Sequence, residues 1–564
     1  MSLLRRCLST LALVVLGACG AGDDPGDDID AAPVDAQSVA TTSLLWSGVY
    51  LPGGGYDTEG LVYGGSQSDH PFTDRAKARP AVLQTYRSFK GVAPSQSDPG
   101  AALRTELAQL WQNGITPHLY IEPDDRDLYP ASLFPPAGTA DTLLVERQNF
   151  WRTQLAKGTF EPYLDALAKA LVKALTARPE GRLMISFGAE MNGNWTVWGC
   201  LSPGTFIALH RHAHDVVMAA LDEAKIDRRR LRWVFAPDSR GAGARVDYAT
   251  SDIGPDGKLR SGAKATRVET CTATPAAYYP GHAYSDYLGM SAYRSLTEEK
   301  AARINPASVD TSVAHTIEEP ATELLDAVGK GLPASWREGR FLVLQTGALA
   351  TDATRATWIA TMFRRLDRDP RFAGVIYFNG QNAINDYSVV ERGDAGVVAK
   401  SGLAELSSGL GKYRSQDGLT ALFERHYADV GPRSAYWSEV QRVGDLGFSG
   451  CATDEPARFC PDQPMTRATA AVMLARLLEL PAADPSFSDV PADHWARGAI
   501  GALEKKGIVH GCATGSFCPE VTLQRSALLA LVAAVGGKAT TCPAGPAAVS
   551  RDLGAACLVR ATTR

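Results

Sequence analysis

The sequence predicts an α/β protein: a (β/α)8 TIM barrel over residues 44–415, then a small, mainly α-helical repeat domain. Three observations predict it. Eight short apolar runs recur along residues 44–415. Helical patterns separate many of them, the alternation that builds a closed parallel sheet. From about residue 420 the texture changes, and one segment of about 60 residues occurs twice.

The eight runs are candidate strands. In order they are LLWSGVYL (44–51), PAVLQTYRSF (80–89), TPHLYIEP (116–123), RLMISFGAE (182–190), LRWVFAPDS (231–239), DYLGMSAY (286–293), RFLVLQTGA (340–348) and FAGVIYFNG (372–380). One intervening helix is FEPYLDALAKALVKALTA (160–177), with Leu164, Leu167, Leu171, Val172 and Leu175 on one stripe. Another is FIALHRHAHDVVMAALDEA (206–224), where His210 and His214 stand four apart on one face. That spacing can hold a metal. With no acid partner in the pattern, a solvated helix face is expected instead, and no metal or cofactor is expected. In such barrels the chemistry sits where strands end, so those ends locate the candidate site.

Composition narrows the function classes. The chain has 564 residues, 45% of them hydrophobic, enough for a sizeable core. A net charge of −5 argues against nucleic acid as a partner. The first residues read as a targeting segment: Arg5 and Arg6, then the apolar LSTLALVVLGA. It ends in Leu16-Gly17-Ala18-Cys19, which resembles the lipobox of bacterial lipoproteins. The resemblance implies removal of residues 1–18, lipidation of Cys19 as a membrane anchor and, from Gly20, the outer membrane or cell surface. The other reading is an ordinary secretory peptide whose cysteine is incidental. Residues 19–43 then form an acidic tether with six Asp and too little apolar surface to fold alone.

Export places the cysteines in an oxidising space. Without Cys7 and Cys19, eight remain. Cys451/Cys460 and Cys512/Cys518 are close and occur in matching contexts. Cys542/Cys557 is the local pairing that remains, and Cys200/Cys271 the long-range one.

The repeat begins with residues 420–480 and returns at 486–537. Asp429-Val430 matches Asp489-Val490, Trp437 matches Trp495, and Gly450-Cys451 matches Gly511-Cys512. Phe459-Cys460-Pro461 matches Phe517-Cys518-Pro519, and Arg467 matches Arg525. These segments resemble the S-layer homology repeat. The resemblance implies binding of a cell-wall polymer, with Arg467 and Arg525 as anchors. The alternative is a small helical domain whose arginines only pair with helix ends. The second copy departs from the pattern with Gln524-Arg525-Ser526, and residues 538–564 are a partial repeat or tail.

The fourth run ends in GAEMNGNWTVWGC (188–200). An acid at a strand end followed by two tryptophans suits a sugar site. Tryptophan faces offer apolar platforms for pyranose rings, and glycoside cleavage commonly uses paired carboxyl groups. Glu190-Met191-Asn192-Gly193, with Trp195 and Trp198-Gly199, resembles the acid/base motif of glycoside hydrolase family 26. Trp233 to Pro237, Tyr279-Pro280-Gly281 with Asp286 to Gly289, and Gly374 to Asn379 with Asp386-Tyr387 follow in that family's order. The resemblance covers roughly residues 44–400. It implies a β-linked polysaccharide as ligand, mannan in particular. It makes Glu190 the acid/base and Asn192, Trp195, Trp198, Tyr293, Tyr377 and Asp386 substrate-binding candidates.

The departures are specific. Ala189 stands where the family usually has His, and Ser186 where it has Arg. Gln345 stands at the nucleophile position, inside Val343-Leu344-Gln345-Thr346-Gly347. An amide is uncharged and cannot trap an oxocarbenium-like centre as a carboxylate does. Glu338 precedes the strand, so it belongs near the opposite rim. Three readings follow: a carbohydrate-binding pseudoenzyme, an enzyme in which Asp238 or Asp386 activates water opposite Glu190, or an active enzyme with another nucleophile. An envelope protein without sugar affinity is the alternative from a different class. The polar insert 240–275 is expected to rim the cleft, with Cys200 and Cys271 pinning the loops beside Glu190.

Overall fold

The structure is a computed structural model. It describes residues 43–50, 80–134, 143–239, 244–248, 265–270, 273–294, 312–332, 334–380, 386–393, 396–413, 416–451 and 457–563, all within the unit Ser43–Arg564. The targeting segment, Cys19 and most of the tether lie outside the described residues, as does Cys271.

All eight predicted runs are strands. They are Trp46–Tyr50, Val82–Ser88, Thr116–Glu122, Leu183–Phe187, Leu231–Phe235, Tyr287–Arg294, Phe341–Ala348 and Phe372–Phe378. Each pairs in parallel with the next, and the eighth closes on the first in register Trp46↔Gly374 to Tyr50↔Phe378. Helices such as Glu161–Ala177 and Pro203–Glu223 cover the outside.

Alternation along each strand divides two cores. Val82, Tyr120, Met184, Val234, Leu342, Leu344 and Ile376 fill the barrel interior. Leu83, Leu119, Ile185, Val343 and Val375 face the helices. The two histidines of Pro203–Glu223 face that outer core rather than solvent. His210 is fully buried and His214 nearly so. Both rings pack on Trp233, at 5.5 and 5.3 Å between centroids. The helix carries a wider apolar stripe than expected, with Phe206, Leu209, Ala213 and Val217, and the histidines lie on it. Burial pushes the His210 pKa down to about 4, so its ring is neutral.

The seventh strand carries a bulge. Against the sixth strand, Met290 pairs with Val343 and Ser291 with Gln345; against the eighth, Val375 pairs with Val343 and Tyr377 with Thr346. Both neighbours see one extra residue on the seventh strand. The insertion turns Leu344 and Gln345 both inward, as bulges beside functional sites often do.

The other end of the barrel is closed by helix Gln416–Glu424, whose Leu419, Leu422 and Phe423 enter the interior core. Buried Arg232, near the start of the fifth strand, donates to the carbonyls of Leu422, Phe423 and Arg425 at 3.1, 2.8 and 3.0 Å. Glu338 lies at this end as expected, its carbonyl accepting from Arg425 at 2.7 Å. The C-terminal region is therefore attached opposite the mouth. The insert 240–275 holds a hairpin, Ala244–Tyr248 with Ala265–Thr270.

The C-terminal region has three arms, not two. Met465 N donates to Val549 O at 2.8 Å, Val549 N to Leu523 O at 3.2 Å, and Leu523 N to Met465 O at 2.7 Å. This ring joins both repeat copies to the tail. Helices Arg467–Leu477, Arg525–Ala534 and Arg551–Thr562 follow the three segments. The tail thus supplies a shortened third arm. Disulfides Cys451–Cys460, Cys512–Cys518 and Cys542–Cys557 form as expected. Cys200 is also disulfide-bonded.

Candidate functional site at the barrel mouth

Glu190 sits just past the fourth strand in the left-handed region, φ 56°. That conformation is uncommon for a residue with a side chain and clusters at functional sites. Its N–H is held by the Ala236 carbonyl at 2.7 Å. Its Oε2 accepts from the Trp195 indole at 2.6 Å, and both side chains are half-buried. Gly193 is needed here because a Cβ would overlap the Trp195 ring.

The other expected residues divide. Tyr293 reaches Gln345, donating to Oε1 at 2.6 Å. Asn192 is fully buried and clamps the Asp238 backbone in both directions, each at 2.8 Å. It ties the loop after the fourth strand to the one after the fifth. Trp198 is buried in the outer core and donates to Ala189 O at 2.9 Å. Tyr377 also faces the outer core, its hydroxyl on Tyr387 O at 3.0 Å. Asp386 accepts from Lys400 Nζ at 2.6 Å and from Ser388 N at 2.9 Å. Burial raises its pKa, but the Lys400 and Ser388 bonds outweigh it and hold the carboxyl below the usual range. The structure therefore brings Glu190, Trp195, Tyr293 and Gln345 to the mouth, with Asn192 and Trp198 behind them. Tyr377 and Asp386 are turned to other partners.

Gln345 is 1% exposed. Its Nε2 donates to Gln84 Oε1 at 2.9 Å and to the Tyr86 hydroxyl. Gln84 Nε2 meets the Leu344 carbonyl at 3.0 Å and His118 Nδ1 at 3.1 Å. His118 Nε2 meets Ser186 Oγ at 2.9 Å. Burial pushes the His118 pKa down to about 3, so the ring is neutral. Sequence reasoning missed Gln84, Tyr86, His118 and Tyr120. Their signal was polar residues at the inward positions of the second and third strands, the same signal that singled out Gln345. Ser186, noted there as a departure, is where this chain of bonds ends.

A cleft of about 1020 Å³ opens beside the mouth, lined by residues including Tyr86, Glu122, Asp124, Tyr129 and Trp195. Burial pushes the Asp124 pKa up to about 6, although Tyr129 donates to its Oδ1 at 2.6 Å. Among the described residues no group of His, Cys, Asp and Glu could hold a metal ion, and no helix is long and apolar enough to cross a membrane.

In the arms, Arg467 donates to Phe517 O at 2.8 Å and His510 O at 2.7 Å and lies 4.6 Å over the Phe517 ring. Arg551 makes the corresponding bond to Phe459 O at 3.2 Å. Arg525 joins the third arm through its backbone, N to Ala547 O at 2.8 Å.

Residues 486–525 match the S-layer homology domain family. A cell surface protein of Thermoanaerobacter kivui is 35% identical over 136 residues, which is 23% of this chain and 18% of that protein. The chain thus matches less than a fifth of that relative's length. Among solved structures, Bacillus subtilis mannanase BCman aligns with 63% of this chain and 90% of its own, at 14% identity and a TM-score of 0.35. A Cellulomonas fimi endo-β-1,4-mannanase double mutant aligns with 69% and 74%, at 16% identity and a TM-score of 0.41.

Proposed function

We propose that this chain is an exported, envelope-anchored carbohydrate-binding protein. Its barrel grips a β-linked polysaccharide, mannan by family resemblance, and hydrolyses it weakly or not at all. The observation that carries the reading is the state of Gln345. A retaining cleavage needs an anionic carboxylate at that strand end. Here a neutral amide stands there, with its oxygen and nitrogen both engaged by protein. Asp386, one candidate for an alternative carboxylate, is held by Lys400.

What supports sugar binding is the other half of the mouth. Trp195, half-buried beside Glu190, offers an apolar ring surface of the kind pyranose rings pack on. The match of residues 486–525 to the S-layer homology family supports a surface location and binding of a wall polymer, with Arg525 and Arg467 as the cationic candidates. Lipidation at Cys19 would add a second attachment.

The test is direct. The purified chain is applied to immobilised β-1,4-mannan and, separately, incubated with manno-oligosaccharides. Retention without shorter products is expected. Accumulating shorter products would sink the pseudoenzyme reading, and passage through the column unretarded would sink mannan binding. Trp195→Ala is expected to weaken retention about tenfold, the loss of one aromatic contact worth ~1.4 kcal/mol.

A further inference from the structure

The bonds around Gln345 have a direction that main-chain chemistry fixes. The Leu344 carbonyl can only accept, so the Gln84 atom facing it at 3.0 Å is the amide nitrogen. Gln84 therefore turns Oε1 toward Gln345. That oxygen also only accepts, so position 345 must present a donor, and it presents Nε2 at 2.9 Å. The far end of the Gln345 amide is then Oε1, and the Tyr293 hydroxyl must donate to it. A phenol whose one hydrogen is committed to Gln345 has only lone pairs left for the mouth. Tyr86 receives Nε2, so its own hydrogen points away from Gln345. The same logic runs the other way. Gln84 Nε2 also faces His118 Nδ1, so that nitrogen accepts and Nε2–H donates to Ser186.

We propose that Gln84, anchored on the Leu344 carbonyl, is a positioning residue that fixes the hydrogen-bond polarity of the mouth. It requires a donor at position 345 and thereby leaves Tyr293 as an acceptor for an uncharged ligand hydroxyl. The ligand half of this inference rests on the carbohydrate-binding reading; the polarity half does not. A carboxylate at 345 would set two acceptors face to face across Gln84. Turning Gln84 over would oppose its oxygen to the Leu344 carbonyl instead. Only a protonated carboxyl, donating its O–H to Gln84, satisfies both ends. One substitution at position 345 therefore does not rebuild an anionic nucleophile.

The experiment is an infrared titration of Gln345→Glu against the parent chain. The introduced carboxyl is expected to stay protonated at pH 7, about three units or more above the ordinary glutamate value. Adding Gln84→Met removes the opposing acceptor while keeping the site buried, and the midpoint is expected to fall by about one unit or more. An introduced carboxyl already ionised at pH 5, or one midpoint shared by single and double variants, would overturn the role of Gln84. No glycan enters that measurement. The ligand half is read in the native barrel with manno-oligosaccharides in which single hydroxyls are replaced by hydrogen or fluorine. Fluorine cannot donate to Tyr293, so at one position both analogues are expected to bind about tenfold more weakly. A fluoro analogue that binds like the parent sugar at every position where the deoxy analogue fails would overturn the acceptor assignment. This arm introduces no charge, so it stands even if Gln345→Glu does not fold.

Discussion

The barrel mouth and the C-terminal arms both bury polar groups, and they do so by opposite means. In the arms, Asp429 accepts from Phe459 N and Cys460 N, each at 2.7 Å. Asp489 accepts from Phe517 N and Cys518 N, also at 2.7 Å. These partners are 28 to 31 residues apart, inside one copy of the repeat. Duplicating the segment duplicates the contact. In the mouth, Gln345 meets Gln84 across 261 residues and Tyr293 across 52. No single segment contains that network. It exists only when the strands pair in the observed register, bulge included.

The largest predicted effect separates the two regions by pH. His118 is fully buried, with a folded pKa of about 3 against an ordinary value near 6.5. As pH falls through 6.5 the unfolded chain takes up a proton that the folded barrel refuses. The barrel's stability is therefore complete above 6.5 and falls progressively toward 3, by about 3 kcal/mol at pH 4. His210 adds to the loss in the same direction. Asp489 behaves differently. Burial raises its pKa, but the Phe517 and Cys518 N–H groups outweigh it and hold it below 3.8. Its contribution is present above that value and lost only below it. Hydrogen exchange at pH 7 and pH 4 should show protection dropping in the barrel strands while the arms keep theirs. Urea unfolding of His118→Gln should show a shallower pH slope than the parent. An unchanged slope would remove His118 as the cause.

A second test breaks the likeness between the two repeat copies. Asp429 is 3% exposed, and Asp489 is only half-buried. Asp429→Ala leaves one buried and one half-buried donor without their acceptor, at a cost of about 3 kcal/mol. Asp489→Ala exposes its donors to water and should cost about 1 kcal/mol. Urea denaturation of the full chain measures both. Equal costs would mean that burial does not decide the difference.

The same contrast explains what the sequence made legible. The eight strands were readable because apolar periodicity is local. So were the three described disulfides, whose cysteines lie 9, 6 and 15 residues apart. Gln345 was readable as an anomaly, one amide ending an apolar run. Its partners were not, because Gln84 and Ser186 become neighbours of the network only through sheet register. The bulge at Leu344 was equally hidden, since an extra residue shows only against two paired neighbours. His210 and His214 were misjudged because polar type was weighed above position on the stripe. The strand phase placing Tyr377 outward was available in the sequence: Ile376 faces the interior and Val375 the helices. The third arm was obscured because its first helix has no counterpart in residues 538–564, and of the F-C-P segment only Cys542-Pro543 remains.

The smallest predicted effect tests whether a local pair inside the barrel behaves like the local pairs of the arms. Asp124 and Tyr129 are five residues apart, and the hydroxyl donates to Oδ1 at 2.6 Å. Asp489 gains from two backbone donors, but Asp124 has one phenol donor, the like charge of Asp125 beside it, and Arg147 and Arg126 too weakly coupled to offset its burial. Burial therefore prevails, and its folded pKa rises to about 6 from 3.8. A raised carboxyl pKa reverses the sign. Between about 3.8 and 6 the folded state holds the proton more tightly, so stability falls as pH rises through that window and stays lower above it. Because Asp124 is half-exposed, screening reduces the effect to about 1 kcal/mol at pH 7. Asp124→Asn keeps an acceptor for Tyr129 and carries no charge. It should raise the melting temperature at pH 7 and leave it nearly unchanged at pH 4. A loss at pH 7 that is larger than at pH 4 would mean that the charge at position 124 is already satisfied, and that this pair belongs with the aspartates of the arms.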